Sequence, residues 1–418
     1  MIVLPVTLLP RVLWQYIASW LQGNKAIIRL RATCRWLRRV EIHQLPRRME
    51  QTLTVERLQS IAPTLRHLDI CGHEDVTNEM IQKFTHLEWL NAINTEITWF
   101  PSTLRHLDIR RRKDVTNEMI QDAFQQGPSR QVGTLEWLDA SNTKITWFPS
   151  TLRYLDIRCC KDVTNEMLQD AFQQGRLEWL DASGTKVTWF PSTLRHLNIC
   201  GRTDVTNEMI QGCINLQRLD TINTKITWFP STLRYLDIRC CKDVTSEMLQ
   251  YAFQQGRLEW LDASGTKVTW FPSTLRHLNI CGRTDVINEM IQRCVHLEWL
   301  DAAFTKITWF PSTLRHLYIQ NNTNITNEMI QHCINLHYLD VSYTKITWFP
   351  STLLVLSICG CQDVTNKMIQ SCTRLRHLNA VNTNISWFPS TLYYLDIDGR
   401  TDITDEMLAH LVDCEIIR

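Results

Sequence analysis

Cysteine, histidine and the carboxylates are the residues that could do chemistry here, and their spacing decides what chemistry that is. The chain carries 15 cysteines and 13 histidines. A zinc site would ask for Cys-x-x-Cys pairs. The close cysteines are instead Cys159-Cys160, Cys240-Cys241 and Cys359 with Cys361, none at finger spacing. No metal and no cofactor is expected. No nucleotide loop, His-Glu-x-x-His or Gly-x-Ser-x-Gly element occurs, and no Cys or His outside repeat positions has an evident catalytic partner. The expectation is a non-catalytic protein. An odd cysteine number at recurring offsets fits reduced, buried thiols better than a secreted disulfide framework, which points to the cytoplasm or nucleus.

These residues recur because the chain repeats. Trp-Phe-Pro stands at Trp99, Trp147, Trp189, Trp228, Trp270, Trp309, Trp348 and Trp387, at intervals of 48, 42, 39, 42, 39, 39 and 39 residues. Residues 151–211 and 232–292 differ only at Asn165/Ser246, Asp170/Tyr251 and Thr206/Ile287, so internal duplication built the chain.

Each unit splits in two. The longer half, from Thr193 to Asn215, opens with a strand whose Leu194, Leu197 and Ile199 point inward. A helix follows, with Thr206 placed to cap it and Glu208 in its first turn. The shorter half, from Leu177 to Thr193, has a strand with Leu177, Leu180 and Ala182. Its return carries Val187 and Phe190, and Pro191 keeps that return extended. Neither half can bury its own leucines, so neighbours must stack. The Trp of each Trp-Phe-Pro triplet is expected to pack between successive turns.

Stacked parallel strands set equivalent residues ~4.8 Å apart, so each strand position becomes a surface column. The second alternates charge: Arg105, Glu136, Arg153, Glu178, Arg195, then Arg234, Glu259, Arg276, Glu298, Arg315. The third is aromatic: His106, Trp137, Tyr154, Trp179, His196, then Tyr235, Trp260, His277, Trp299, His316, Tyr338. The fifth is acidic: Asp108, Asp139, Asp156, Asp181, Asp220, Asp237, Asp262, Asp301. An outward row of Trp and Tyr marks a binding patch unless the rings only stack to stiffen the sheet. With the aspartates, the aromatic row is expected to receive a protein with basic or amphipathic segments. Like charges at ladder spacing repel, so that partner or nearby Arg and His groups must compensate them.

These patterns resemble leucine-rich repeats over about residues 64–414, through seventeen candidate strands. The longer half resembles the cysteine-containing type: Cys160, Cys241 and Cys361 hold the cysteine place, and Ile403-Thr404-Asp405 matches the motif after it. His73, Arg112, Arg202, Arg283, Asn322 or Arg400 hold that place elsewhere, so a cysteine ladder is expected to be broken. The shorter half resembles the LxxLxLxxNxLxxLPxxL type, with Thr185 at the Asn place and Phe190 for the last Leu. The resemblance implies an α/β leucine-rich-repeat solenoid, with a curved parallel sheet on the concave face and alternating helical and extended convex segments.

Residues 1–50 stand outside the repeat. Pro10, Leu13, Ile17 and Leu21 fit one helix, Gly23-Asn24 breaks it, and a second segment runs through Ile27, Leu30 and Cys34. This stretch resembles an F-box through Leu9, Pro10, Leu13, Ile17, Trp20, Leu21, Leu30 and Cys34. It departs at Val12, where the family favours Glu, and at Trp36, one place early. An F-box/leucine-rich-repeat protein implies a Skp-type adaptor bound to these helices, a cullin complex beyond it, and a substrate held by the repeats for ubiquitination. The competing reading is a stand-alone scaffold or regulatory binder in which residues 1–45 only cap the solenoid.

The expected division is an F-box-like region at 1–50, a linker at 51–63, the solenoid at 64–403 and a capping helix and tail at 404–418. A formal charge of +1 argues against a nucleic-acid binder that relies on a broad basic surface. Pro5 and Pro10 interrupt the apolar start, which has no basic residue before Arg11, so neither a targeting segment nor a membrane span is expected.

Overall fold

In the computed structural model, residues 65–74, 76–125, 135–172 and 175–418 are described. The expected helices over 1–50, the linker 51–63 and the adaptor-facing positions from Leu9 to Cys34 lie outside them. The chain divides into two compact units, the first ending at Ile199 and the second running Cys200–Arg418.

The first unit holds β1 (His67–Asp69), β2 (Trp89–Asn91), β3 (His106–Asp108), β4 (Trp137–Asp139), β5 (Tyr154–Asp156), β6 (Trp179–Asp181) and β7 (His196–Asn198). They pair in parallel and in chain order, with Leu138 beside Leu155 and Leu155 beside Leu180. The second unit holds β8 (Arg218–Asp220), β9 (Tyr235–Asp237), β10 (Trp260–Asp262), β11 (His277–Asn279), β12 (Trp299–Asp301), β13 (His316–Tyr318), β14 (Tyr338–Asp340), β15 (Val355–Ser357), β16 (His377–Asn379), β17 (Tyr394–Asp396) and β18 (Glu415–Ile417), again parallel and in order. The expected strands are therefore present. One more comes from the tail, where Ile416 pairs beside Leu395.

Three-residue strands survive because each lends its leucines to a shared core. Leu177, Leu180 and Ala182 of one strand, and Leu194, Leu197 and Ile199 of the next, are fully buried. Truncating such a leucine costs about 2–5 kcal/mol, far more than any propensity at the same site.

The returns alternate as expected. Helices follow the long-half strands: α1 (Asn78–Gln82), α2 (Asn117–Phe124), α3 (Asn165–Phe172), α4 (Asn207–Ile210), α5 (Ser246–Phe253), α6 (Asn288–Ile291), α7 (Asn327–Ile330), α8 (Asn366–Ile369) and α9 (Asp405–Leu408). After short-half strands the chain stays extended up to the proline, and Val187 and Phe190 are buried. Trp189 beside them is only half-buried, so the core packing expected of the Trp falls to the neighbouring Phe.

From α1 to α8 the first helical residue ties the helix to the next return. Asn207 Oδ1 accepts the Thr227 and Trp228 amides at 2.9 and 3.1 Å, while its Nδ2 donates to Thr227 Oγ1 at 2.8 Å. Asn165 does the same with Thr188 and Trp189. Extended backbone without a ladder partner must be satisfied somewhere, and this side chain does it.

The cysteine place shows what the substitutes for cysteine do. Cys160, Cys241 and Cys361 donate to the carbonyls of Ala140, Thr221 and Val341 at 3.1, 2.9 and 3.2 Å. Asn322 donates to the equivalent Ala302 at 2.8 Å, and Arg283 to Ala263 at 3.2 Å. The run of cysteines is broken, as expected, and at Asn322 and Arg283 another donor meets the same carbonyl.

Candidate interaction surface

On the face opposite the leucines the second-position charges pair across strands. Arg105 meets Glu136 at 2.9 Å, Arg153 meets Glu178 at 2.8 Å, and Arg195 reaches the same Glu178 at 3.6 Å. In the second unit Arg234 meets Glu259 at 3.1 Å, and Arg276 pairs with Glu298. All are substantially exposed, so each pair contributes about 0.2–1 kcal/mol and acts on register more than on stability.

The third-position rings are half-buried and stack. In the first unit Trp137 lies 4.6 Å from Tyr154, and Tyr154 3.8 Å from Trp179, centroid to centroid, with planes 17° and 12° apart. His196 meets Trp179 edge-on at 4.8 Å. In the second unit Tyr235 stacks on Trp260 at 3.8 Å, and the Arg218 guanidinium lies 3.6 Å over the Tyr235 ring. His277 tilts against Trp299 at 6.4 Å. Burial holds the His106 and His277 imidazoles below the usual histidine range. The rings therefore stiffen one another and still keep solvent-facing edges. Locked aromatics lose little freedom on binding.

The aspartates lie deeper. Asp139, Asp156, Asp181 and Asp262 are all buried, at 4% exposure or less. Each accepts the amide two residues on: Ser141, Arg158, Ser183 and Ser264, all at 3.0 Å. These are Asx turns that close the loop after the strand. Arginines bridge neighbouring carboxylates. Arg158 lies 2.7 Å from Asp156 and 3.5 Å from Asp181; Arg110 lies 2.8 Å from Asp108 and 3.3 Å from Asp139; Arg239 lies 2.8 Å from Asp237 and 3.6 Å from Asp262. Burial and the facing Asp156 still push the Asp139 carboxyl up to about 6, and burial does the same to Asp181. An incoming group thus meets aromatic edges and partly exposed arginines, with the acids beneath them. The Asp-x-Arg recurrence at 108/110, 156/158 and 237/239 was the sequence signal for those arginines.

On the helical side Trp228, Phe229, Met248 and Tyr251 line an open groove of ≈ 270 Å³. That is below the usual range of small-molecule pockets, so the sheet face is the stronger candidate. Among the described residues no three His, Cys, Asp or Glu side chains converge as metal ligands, and no helix is long and apolar enough to cross a membrane.

No family model and no curated protein matches the sequence. Solved structures do match the fold. The structure of a TLR13–ssRNA13 complex aligns with a TM-score of 0.53 and 15% identity, over 87% of this chain and 65% of that one. The chain therefore spans less than two thirds of that neighbour. Mouse RP105, solved with MD-1, aligns at 0.49 and 16% identity over 87% and 76% of the two chains. An internalin (inlF) of Listeria monocytogenes aligns at 0.39 and 17% identity over 94% of each. At such identities the first match speaks for fold alone. The chain has the leucine-rich-repeat fold.

Proposed function

We propose that the chain is a protein-recognition module, the substrate-binding subunit of an SCF-type ubiquitin ligase. The observation that carries the binding half is the pre-stacked row of Trp, Tyr and His on short, rigid strands. Such rings are typical interface anchors, and none is needed for the leucine core. The F-box resemblance of Leu9, Pro10, Leu13, Ile17, Leu21, Leu30 and Cys34 supports the adaptor half. The protein does no chemistry in this reading. It raises the effective concentration of substrate lysines at the ligase, in the cytoplasm or nucleus.

TLR13 was solved with single-stranded RNA, but here the arginines of the face are engaged by buried aspartates and the net charge is only +1. A protein partner fits that face better than a polyanion. Affinity purification from the native host tests the whole reading. Skp-type and cullin subunits are expected with the wild-type chain and are expected to vanish with Leu13→Ala/Ile17→Ala. Their absence from the wild-type sample supports the scaffold alternative instead.

A further inference from the structure

Three adjacent turns of the second unit bring an aromatic ring into the fifth-position column, between two aspartates. At the fifth position β13 carries Tyr318. Its ring lies 5.3 Å from Trp299 and 4.5 Å from Tyr338, so three rings meet on β12, β13 and β14. Asp301 and Asp340 stand in register on either side of Tyr318, two ladder steps or about 9–10 Å apart. Two residues past β13 stands Gln320, at a place that holds Arg110, Arg158 and Arg239 after β3, β5 and β9 and Cys71, Cys200, Cys281, Cys359 or Asp398 after the other long-half strands. Among the described residues no cation pairs with Asp301 or Asp340. Asp301 accepts the Ala303 amide at 3.0 Å, and Asp340 the Ser342 amide and hydroxyl at 2.9 and 2.6 Å. Gln320 Oε1 is buried, and among the described residues no group donates to it.

The same turns hold a second anomaly. After short-half strands the chain passes through the left-handed region, at Asn94, Asn142, Gly184, Asn223, Gly265 and Asn382, residue types that tolerate it. In the turns after β12 and β14 the residue is aromatic: Phe304 at φ 56° and Tyr343 at φ 58°, 51% and 52% exposed. Two large rings are held in disfavoured backbone with half their surface in solvent, a combination that clusters at ligand sites. They flank Gln320. The Phe304 amide donates to the Gln320 carbonyl at 3.0 Å, and the Asn321 amide to the Ser342 carbonyl at 2.9 Å. Gly360 makes room for Tyr343, since a Cβ there would lie 2.5 Å from the ring.

We propose that this patch receives an arginine side chain of the protein partner. Its guanidinium lies over Tyr318, between Asp301 and Asp340, and takes the place that Arg158 takes beside Asp156 and Asp181. A planar cation suits both needs at once, because it stacks on a ring and gives several N–H donors to carboxylates and to Gln320 Oε1. Phe304 borders the site on the β12 side and contacts the residues next to that arginine, while the Tyr343 ring lies over the next turn, against Gly360 and Cys359. The assignment rests on the sheet face being the protein-binding face, and it names the chemistry recognised there.

Short fluorescein-labelled peptide pools with a central Arg, Lys or Gln and randomised flanks test it by anisotropy on the full chain. The Arg pool is expected to bind at least about tenfold tighter than the Gln pool, as one charged hydrogen-bonded pair allows. Asp301→Asn/Asp340→Asn is expected to bring the Arg pool down to the Gln level. Those changes keep the turns closed, because Asn279 Oδ1 already accepts the Cys281 amide at 2.9 Å in the same role. Lys144→Ala/Lys186→Ala, at exposed positions on the return segments of the first unit, is expected to keep the Arg preference. Equal binding of all pools, no binding, or a preference that survives the Asp changes overturns the assignment. If the preference fails while capture of the native partner still needs the sheet-face tryptophans, only this site falls. If capture is also indifferent to them, the sheet-face reading falls with it.

Discussion

Tyr154 and Trp179 stack face to face, centroids 3.8 Å apart and planes within 12°. The duplicated pair Tyr235 and Trp260 repeats this at 3.8 Å and 11°. Parallel register sets both pairs directly side by side, and the buried leucine between the third and fifth positions fixes which way the rings point. The stack follows from the repeat rather than from any local accident.

Removing a ring from the stack should loosen the sheet without dissolving the core. Tyr235→Ala is expected to lower stability by the ~0.5–1.5 kcal/mol of an aromatic pair plus the area lost, with Arg218 also losing its ring. Tyr235→Phe keeps the stack and should stay near wild type. Thermal unfolding followed by near-ultraviolet circular dichroism reads both.

The aspartate columns predict an unusual pH response. The Asp139 and Asp181 carboxyls titrate at about 6 when folded and near 3.8 when unfolded, so the folded state binds protons more tightly. Their contribution is fully present below the unfolded value and is lost as pH rises through 6. Two such groups should make this part of the chain more stable at pH 5 than at pH 7, on the order of 1–3 kcal/mol for the pair. Asp139→Asn/Asp181→Asn should flatten that slope and raise stability at pH 7. Urea unfolding at pH 5 and 7 decides it, and a steeper slope in the variant contradicts the burial argument.

The asparagine tie between helix and return predicts a graded series. Asn207→Ala leaves the Thr227 and Trp228 amides without their acceptor and should cost about 1–3 kcal/mol. Asn207→Ser should recover part of it, because Ser246 in the duplicated unit still accepts the Thr269 amide at 2.9 Å. Hydrogen exchange of the Thr227 and Trp228 amides should rank wild type slowest, Ser next and Ala fastest.

Arg283 is buried, and it donates to Ala263 O, Thr266 Oγ1 and Val268 O while pairing with Asp285 at 2.8 Å. Arg283→Leu leaves those acceptors unmet and should destabilise by about 2–4 kcal/mol. Arg283→Cys, the residue found at Cys241, should be milder because the thiol reaches the first carbonyl. Equal losses for both would mean that Arg283 acts by volume rather than by donation.

Leucine spacing made the strands and their order legible, since one residue of slip would turn every Leu180-type side chain out of the core. The aromatic and Arg–Glu columns followed from the same register. The depth of the aspartates did not. An outward fifth position suggests solvent, but Asp156 sits beneath the arm of Arg158, and only the loop conformation brings that arm over. Asn207 was hidden for a similar reason: its partners are 20 residues away in the next return, a distance that no local pattern encodes. Tyr318, Phe304 and Tyr343 were visible as letters, yet their meaning needs the left-handed turns and the unpartnered oxygen of Gln320.

Photo-crosslinking in the native host tests the central claim most directly. A benzophenone amino acid is placed in the full chain at Trp179 or Trp260 on the sheet face, or at Lys186 or Lys267 on the return segments. Discrete adducts to the same partner from both sheet positions, and none from the two lysine positions, are the predicted result. Adducts from the return positions with silent sheet positions would contradict it.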